Sequence, residues 1–217
     1  MSDDLRRLSR AVRQQAEALK VWGIRELPVR RPDVRSPLAQ LEQDVIACRR
    51  CPLYKTRTHH VFGEGSPRAR LVFVGEAPGR EEDLQGRPFV GAAGRLLTNM
   101  IEAMGLRRED VYICNVLKDR PPGNRTPEPA EVDACLGFLE RQLALIHPRV
   151  ICALGAVAAR ALLGPHVAIT KVRGAVLDYH DIPVVPTFHP AYLLRNPPAK
   201  KLVWQDLKKV KRLLEDS

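Results

Sequence analysis

Ala69-Arg70-Leu71-Val72-Phe73-Val74-Gly75 runs directly into Glu76-Ala77-Pro78-Gly79-Arg80-Glu81-Glu82-Asp83-Leu84-Gln85-Gly86-Arg87-Pro88-Phe89-Val90-Gly91. The first seven residues form a short apolar run, rich in β-branched side chains and closed by glycine. That is the pattern of a strand buried on both faces. The next sixteen form a compact loop punctuated by glycines and prolines. Such a loop turns tightly and lets backbone N–H groups approach a ligand. Taken alone, it is a generic phosphate or nucleotide cradle.

Outward from this stretch, strand and helix patterns alternate. Gly94–Met104 reads as a helix, Val111–Leu117 as a strand, and Pro129–Ile146 as a long helix with prolines at its start. Val150–Leu154 is a third strand and Ala156–Leu163 the helix after it. Val176–Leu177 and Val184–Thr187 read as further short strands, Tyr192–Leu194 and Leu202–Leu214 as helices. Alternation of this kind implies a three-layer α/β/α domain around a central, mostly parallel four-stranded sheet. In such a sheet, ligands sit beyond the carboxyl ends of the strands. Upstream, Ser36-Pro37 opens a helix that ends near Cys48. Before it, apolar positions at 5, 8, 12, 16 and 19 predict a helix over Asp3–Val21, and Glu26–Pro37 reads as a linker. Residues 1–37 are therefore expected to be a helical arm and 38–217 the main domain. In the last helix, Trp204, Leu207, Val210 and Leu214 are expected to face the core.

The chain carries 35 Lys and Arg against 25 Asp and Glu, a formal net charge of +10. An excess of this size suits a polyanionic partner such as nucleic acid. No apolar stretch is long enough for a membrane span, and the N-terminus lacks the apolar core of a secretory signal. A cytoplasmic location follows, and there Cys48, Cys51, Cys114, Cys135 and Cys152 read as metal ligands before disulfides. Cys48-x-x-Cys51 alone fits zinc, a redox pair or an iron–sulfur site.

Four segments then decide the reading: Gly75–Gly94 (GEAPGREEDLQGRPFVGAAG), Ile113-Cys114-Asn115-Val116, Lys118–Arg125 (KDRPPGNR) and Phe188-His189-Pro190-Ala191-Tyr192-Leu193-Leu194. In order, and across about residues 44–214, they resemble the motifs of the family-4, iron–sulfur uracil-DNA glycosylases. The resemblance implies a monofunctional enzyme that flips uracil out of DNA, hydrolyses its N-glycosidic bond and leaves an abasic site. Gly75 and Ala77 would line its pocket. Phe89 would stack on the flipped base, and Asn115 would read the O4 and N3–H edge through an amide that both donates and accepts. His189 would donate to uracil O2 as the base leaves. Family-1 glycosylases carry a water-positioning Asp where this chain has Ala77. Glu76 is therefore expected to line the pocket, Glu82 to be the better water-orienting carboxylate, and Asp83 to support the loop. The loop RPPGNRTPEP holds no histidine and no insertion, unlike the branch of the family that traps DNA covalently through a histidine in a lengthened loop.

The resemblance also implies a 4Fe–4S cluster on Cys48, Cys51, Cys135 and a residue at 119. The family has cysteine there; this chain has Asp119. Ligation by the Asp119 carboxylate is the favoured explanation. Substitution by Cys114 and a labile, incomplete cluster are the alternatives. Arg120, Arg125, Arg173 and Arg195, with Lys171, Lys200 and Lys201, are expected to contact DNA phosphates. The partner is uracil-containing DNA, single- or double-stranded, bound by a monomer. Two other readings stand beside this one: a non-catalytic DNA-binding iron–sulfur protein, and a glycosylase with a different base preference.

Overall fold

The computed structural model describes residues 35–215. The helix expected at Asp3–Val21 and the start of the linker lie outside the described residues. By its internal contacts the chain divides after Asp33.

Eight α-helices and six strands make up the described domain. They are α1 (Arg35–Ala47), β1 (Glu64–Gly65), β2 (Leu71–Gly75), α2 (Arg80–Gln85), α3 (Ala92–Ala103), β3 (Tyr112–Asn115), α4 (Pro129–Ile146), β4 (Val150–Leu154), α5 (Gly155–Leu163), α6 (Ile169–Val172), β5 (Leu177–Tyr179), β6 (Ile182–Thr187), α7 (Pro190–Arg195) and α8 (Lys200–Glu215). The sheet runs β1-β3-β2-β4-β6-β5. Its four central strands are parallel, and β1 and β5 are antiparallel edges. The expectation of four strands is thus corrected to six. Glu64–Gly65 is too short and polar to carry a periodic signal, and its pairing with β3 is a tertiary event.

β2, β3 and β4 are buried along their whole length. Covered on both faces, they read as continuous apolar runs. Val72, Val74, Cys114 and Ile151 pack with α1, α4 and α5 through Leu41, Leu139, Leu143 and Leu162. Leu71, Phe73, Ile113 and Cys152 face α3 and α8 through Leu97, Ile101, Leu207 and Val210. Three layers result, and the reason lies in the strand order. The chain leaves β2 for β3 on one side, then crosses back over β2 to reach β4. Right-handed crossovers in opposite directions place their helices on opposite faces. That reversal makes the carboxyl end of β2 a topological switch point, where an open sheet leaves a crevice for a ligand.

One core assignment is corrected. Trp204 is 39% exposed, whereas Val203 is buried. The inward stripe of α8 is 203, 207, 210 and 214, so Trp204 sits one position off it. Among the described residues no helix is long and apolar enough to cross a membrane. Leu207→Ala should therefore cost about 3 kcal/mol in urea unfolding. Trp204→Ala should cost well under about 1 kcal/mol; equal losses would show that the face of α8 is wrongly assigned.

Candidate active site

A cleft of about 590 Å³ opens beyond the ends of β2 and β3. Glu76, Ala77, Phe89, Asn115 and His189 share its lining with Arg80 and Arg195. Four segments far apart in the chain are brought together there.

The loop after β2 is built around Glu82. Its Oε1 accepts from the N–H groups of Val90 and Gly91, both at 2.9 Å, and its Oε2 accepts from Gly79 N–H at 3.1 Å. A charged acceptor on three backbone donors is a strong clasp. Asp83, buried beside it, accepts from Thr58 N–H and Thr58 Oγ1 at 2.8 and 2.9 Å. The loop's far end is pinned by Arg87, whose Nε and Nη2 donate to Glu64 at 2.8 Å, and by Arg108, which donates to Pro88 O at 2.5 Å. These bonds correct the assignment of Glu82 as the water-orienting carboxylate: both its oxygens hold the loop shut. The Glu76 carboxylate has no hydrogen-bond partner among the described residues. It faces the cleft, and burial pushes its pKa above the ordinary carboxylate value.

The clasp leaves Phe89 in a left-handed conformation, φ 51°. Gly94 permits this approach, because a Cβ there would lie 1.9 Å from Phe89 O. The Phe89 ring reaches over Gly75 to the Asn115 amide. A Cβ on Gly75 would lie 2.3 Å from Asn115 Oδ1 and 2.5 Å from Phe89 Cζ. Asn115 is buried, and among the described residues its Oδ1 has no donor. A buried acceptor without a partner is costly and therefore uncommon. From below, Lys118 Nζ donates to Asn115 O at 2.7 Å and to Gln142 Oε1. Gln142 Nε2 in turn donates to Phe62 O and Tyr112 Oη at 3.0 and 3.2 Å. The Lys118 side chain is fully buried, and burial pushes its pKa down.

His189 lies opposite, its ring centroid 5.5 Å from that of Phe89. It caps α7: Ala191 N–H donates to Nδ1 at 3.1 Å. The proton of the neutral ring is therefore on Nε2, a donor left free by the cap. Burial, reinforced by the nearby charge of Arg195, pushes the His189 pKa down to about 4. The cleft thus joins an aromatic face, a buried amide oxygen without a partner among the described residues, a neutral imidazole N–H and the carboxylate of Glu76.

Comparison with known proteins gives the family. The profile of the uracil DNA glycosylase superfamily matches residues 62–208. The chain belongs to the uracil-DNA glycosylase superfamily. It is 51% identical over 179 residues to a type-4 uracil-DNA glycosylase of Thermotoga maritima, covering 81% of this chain and 93% of that one. A type-4 uracil-DNA glycosylase of Archaeoglobus fulgidus is 46% identical, covering 81% and 92%. One from Sulfurisphaera tokodaii is 48% identical, covering 81% and 84%.

Of the arginines expected to bind DNA in this superfamily member, Arg195 lines the cleft and is exposed. It has no hydrogen bond or ion pair among the described residues. Arg120 donates to the neutral Asn124 Oδ1 at 2.6 Å and keeps its charge uncompensated. Arg125 lines the cleft but grips Glu131 through two bonds of 2.8 and 2.6 Å, so its charge is spent on its own loop. Arg173 is corrected to a structural role. It donates to Asp206 Oδ1 and Leu202 O, both at 2.7 Å, lies over Phe188 and ties α6 to α8. Sequence reading missed Arg80, exposed on the cleft wall at the start of α2; its place directly after GEAPG was the available signal.

Cys48, Cys51, Asp119 and Cys135 line one further cavity, with Lys118, Tyr54 and Phe138. Among the described residues no three His, Cys, Asp or Glu gather closely enough to hold a single metal ion. Three thiols and a carboxylate around a shared space are a donor set that fits zinc or an iron–sulfur cluster. Burial pushes the Cys51 thiol up, and pushes Cys135 up to about 11. Cys114 and Cys152 are fully buried in the sheet, away from this cavity.

Two outcomes follow for this glycosylase-superfamily chain. Gly75→Ala should preserve the fold but raise KM for a uracil substrate by about tenfold or more, because the new methyl displaces Asn115 and Phe89; an unchanged KM would refute the convergence at Gly75. Second, an unfolded histidine takes up a proton below pH 6.5, whereas folded His189 resists it to about pH 4. Stability is therefore unaffected by this group above pH 6.5 and is lost as pH falls through that window, by about 3 kcal/mol in all. Urea midpoints of the wild type should drop more steeply from pH 7 to 4.5 than those of His189→Gln; parallel curves would contradict the burial argument.

Proposed function

We propose that the chain is a uracil-DNA glycosylase that hydrolyses the N-glycosidic bond of a flipped-out uracil and leaves an abasic site. The observation that carries this reading is the unpartnered, buried Oδ1 of Asn115 beneath Phe89. Uracil N3–H is a donor placed to satisfy it, and the amide N–H can donate to O4. Cytosine presents the reverse pattern at both atoms and leaves the buried amide facing like groups. Phe89 holds the ring face. Selectivity then rests on one buried amide held by the sheet, since a site with unmet polar groups discriminates strongly.

As the bond from C1′ to N1 breaks, the electron pair passes to the base and negative charge builds on O2. His189 donates its Nε2–H there, and its depressed pKa keeps it a neutral donor across the physiological range. Glu76 orients the water that adds to C1′ and offsets the positive charge on the sugar, while the water's proton passes to Glu76 or to solvent. Glu82 acts through the loop it closes. Arg80, Arg120 and Arg195 supply phosphate contacts around the cleft. The exposed Tyr192 and Leu194 on α7 fill the gap left by the extruded base. The enzyme acts as a monomer on single- or double-stranded DNA in the cytoplasm, where free thiols persist. Cys48, Cys51 and Cys135 hold an iron–sulfur cluster, with Asp119 the fourth residue of the ring. The cluster orders these segments and takes no part in bond cleavage.

Single-turnover excision from an oligonucleotide bearing one uracil, followed by alkaline scission at the abasic site, tests the assignment. His189→Ala and Glu76→Gln should each slow excision by about 100-fold or more with little change in DNA affinity. Asn115→Ala should remove uracil recognition. Wild-type rates in all three variants, or DNA binding without excision by the unaltered chain, would defeat the proposal.

A further inference from the structure

Arg57 occupies an unusual position. It follows the short 3-10 turn Pro52–Lys55 that begins directly after Cys51. Its Nη2 donates to Ile46 O at 2.7 Å, in the last turn of α1 and two residues before Cys48. Carbonyls of a last helical turn have no partner within the helix, so the guanidinium closes the cysteine segment back onto α1. Its Nη1 meets both oxygens of Asp119, at 2.9 and 3.1 Å. The two side chains are only 12% and 8% exposed. One arginine thus fastens the end of α1, next to the Cys48–Cys51 segment, to Asp119 in the loop after β3, and Asp119 itself lines the thiol cavity.

We propose that Asp119 is not an iron ligand but half of an ion-pair staple with Arg57, leaving Cys48, Cys51 and Cys135 as a three-thiol site with one iron corner open to a small exogenous donor such as water, hydroxide or an added thiol. The inference rests on the reading that this cavity holds an iron–sulfur cluster. Turning Asp119 toward iron would strip its partner from a largely buried guanidinium and leave that charge beside the metal. Breaking such a pair is costly. Thiolates are also the softer and better donors for cluster iron, so the three cysteines bind first and the carboxylate adds least. The staple takes over the mechanical task of a fourth thiolate bond. The segment then stays fastened whether or not iron is present.

Anaerobic reconstitution of the full chain with ferrous iron and sulfide tests this. After mild oxidation with ferricyanide the wild type should lose one iron and show the electron paramagnetic resonance signal of a three-iron cluster, reversed by added ferrous iron together with dithionite as reductant. Asp119→Ala should match it in iron content and spectrum, and Asp119→Cys should suppress the three-iron signal. Loss of the cluster or an altered spectrum in Asp119→Ala would make Asp119 a ligand and overturn the proposal. The staple is read separately in iron-free protein. Arg57→Ala and Asp119→Ala should each lower the unfolding temperature by about 5 °C, and the double variant by no more than the larger single loss. Additive losses would overturn it, and Arg57→Lys, which keeps the charge, should recover part of the loss. Uracil excision is followed on the same samples. Failure of the reconstituted wild type to bind iron, with excision intact, overturns the three-thiol site and spares the glycosylase reading, whereas the expected cluster without excision supports the site and removes that reading alone.

Discussion

Nothing larger than hydrogen fits at Gly75, and the active cleft depends on that. β2 ends there at the centre of the sheet, where the strand order reverses and the surface opens. The Asn115 amide approaches from the neighbouring strand and the Phe89 ring from the following loop, both within reach of where a side chain would be. A flat base can enter only if an amide edge and an aromatic face meet at nearly one point. Two parallel strands in register, Gly75 beside Asn115, supply the first. The second requires a loop that turns back over its own strand.

That turn is unfavourable, because Phe89 sits at positive φ, where a non-glycine residue is strained. The surroundings over-determine it. Glu82 binds three N–H groups of the loop, Glu64 and Arg108 hold its tip, and Gly94 lets the following helix pass close to the Phe89 carbonyl. On the other side, Lys118 grips the Asn115 carbonyl and is itself satisfied by Gln142. A buried lysine is tolerable only with such partners. The unmet acceptor in the cleft, Asn115 Oδ1, lies between these two fully satisfied networks. The polar deficit is therefore local, and a ligand edge of the right pattern removes it.

These relations set what could be read from the sequence. The parallel strands and α4 were legible because burial on both faces makes strands continuous apolar runs and because prolines mark the start of a helix. Phe89, Asn115, His189 and the four residues around the thiol cavity stood out through motif resemblance, and the fold brings each set together. The failures share one physical cause: roles fixed by distant partners. Glu82 looked free until Val90 and Gly91 folded back onto it. Arg173 looked like a phosphate ligand until α8 brought Asp206 against it. β1 has no local signature because it exists only by pairing with β3. Trp204 was misplaced by a single position, which on a helix turns a side chain by about 100°.

Lys118 joins the two halves of the site. It lines the thiol cavity and also bonds the carbonyl of Asn115, which lines the cleft. Its neighbour Asp119 is fixed by Arg57, and Arg57 by the end of α1. A continuous path of bonded groups therefore runs from the cysteine segment to Asn115. No thiol lines the cleft where the base would sit, and no pocket side chain lines the cavity. Lys118 and Asn115 are thus the point at which the two regions touch. The cavity meets the cleft only through this bonded path, whereas His189 and Glu76, the groups proposed to stabilise charge during bond cleavage, line the cleft and not the cavity.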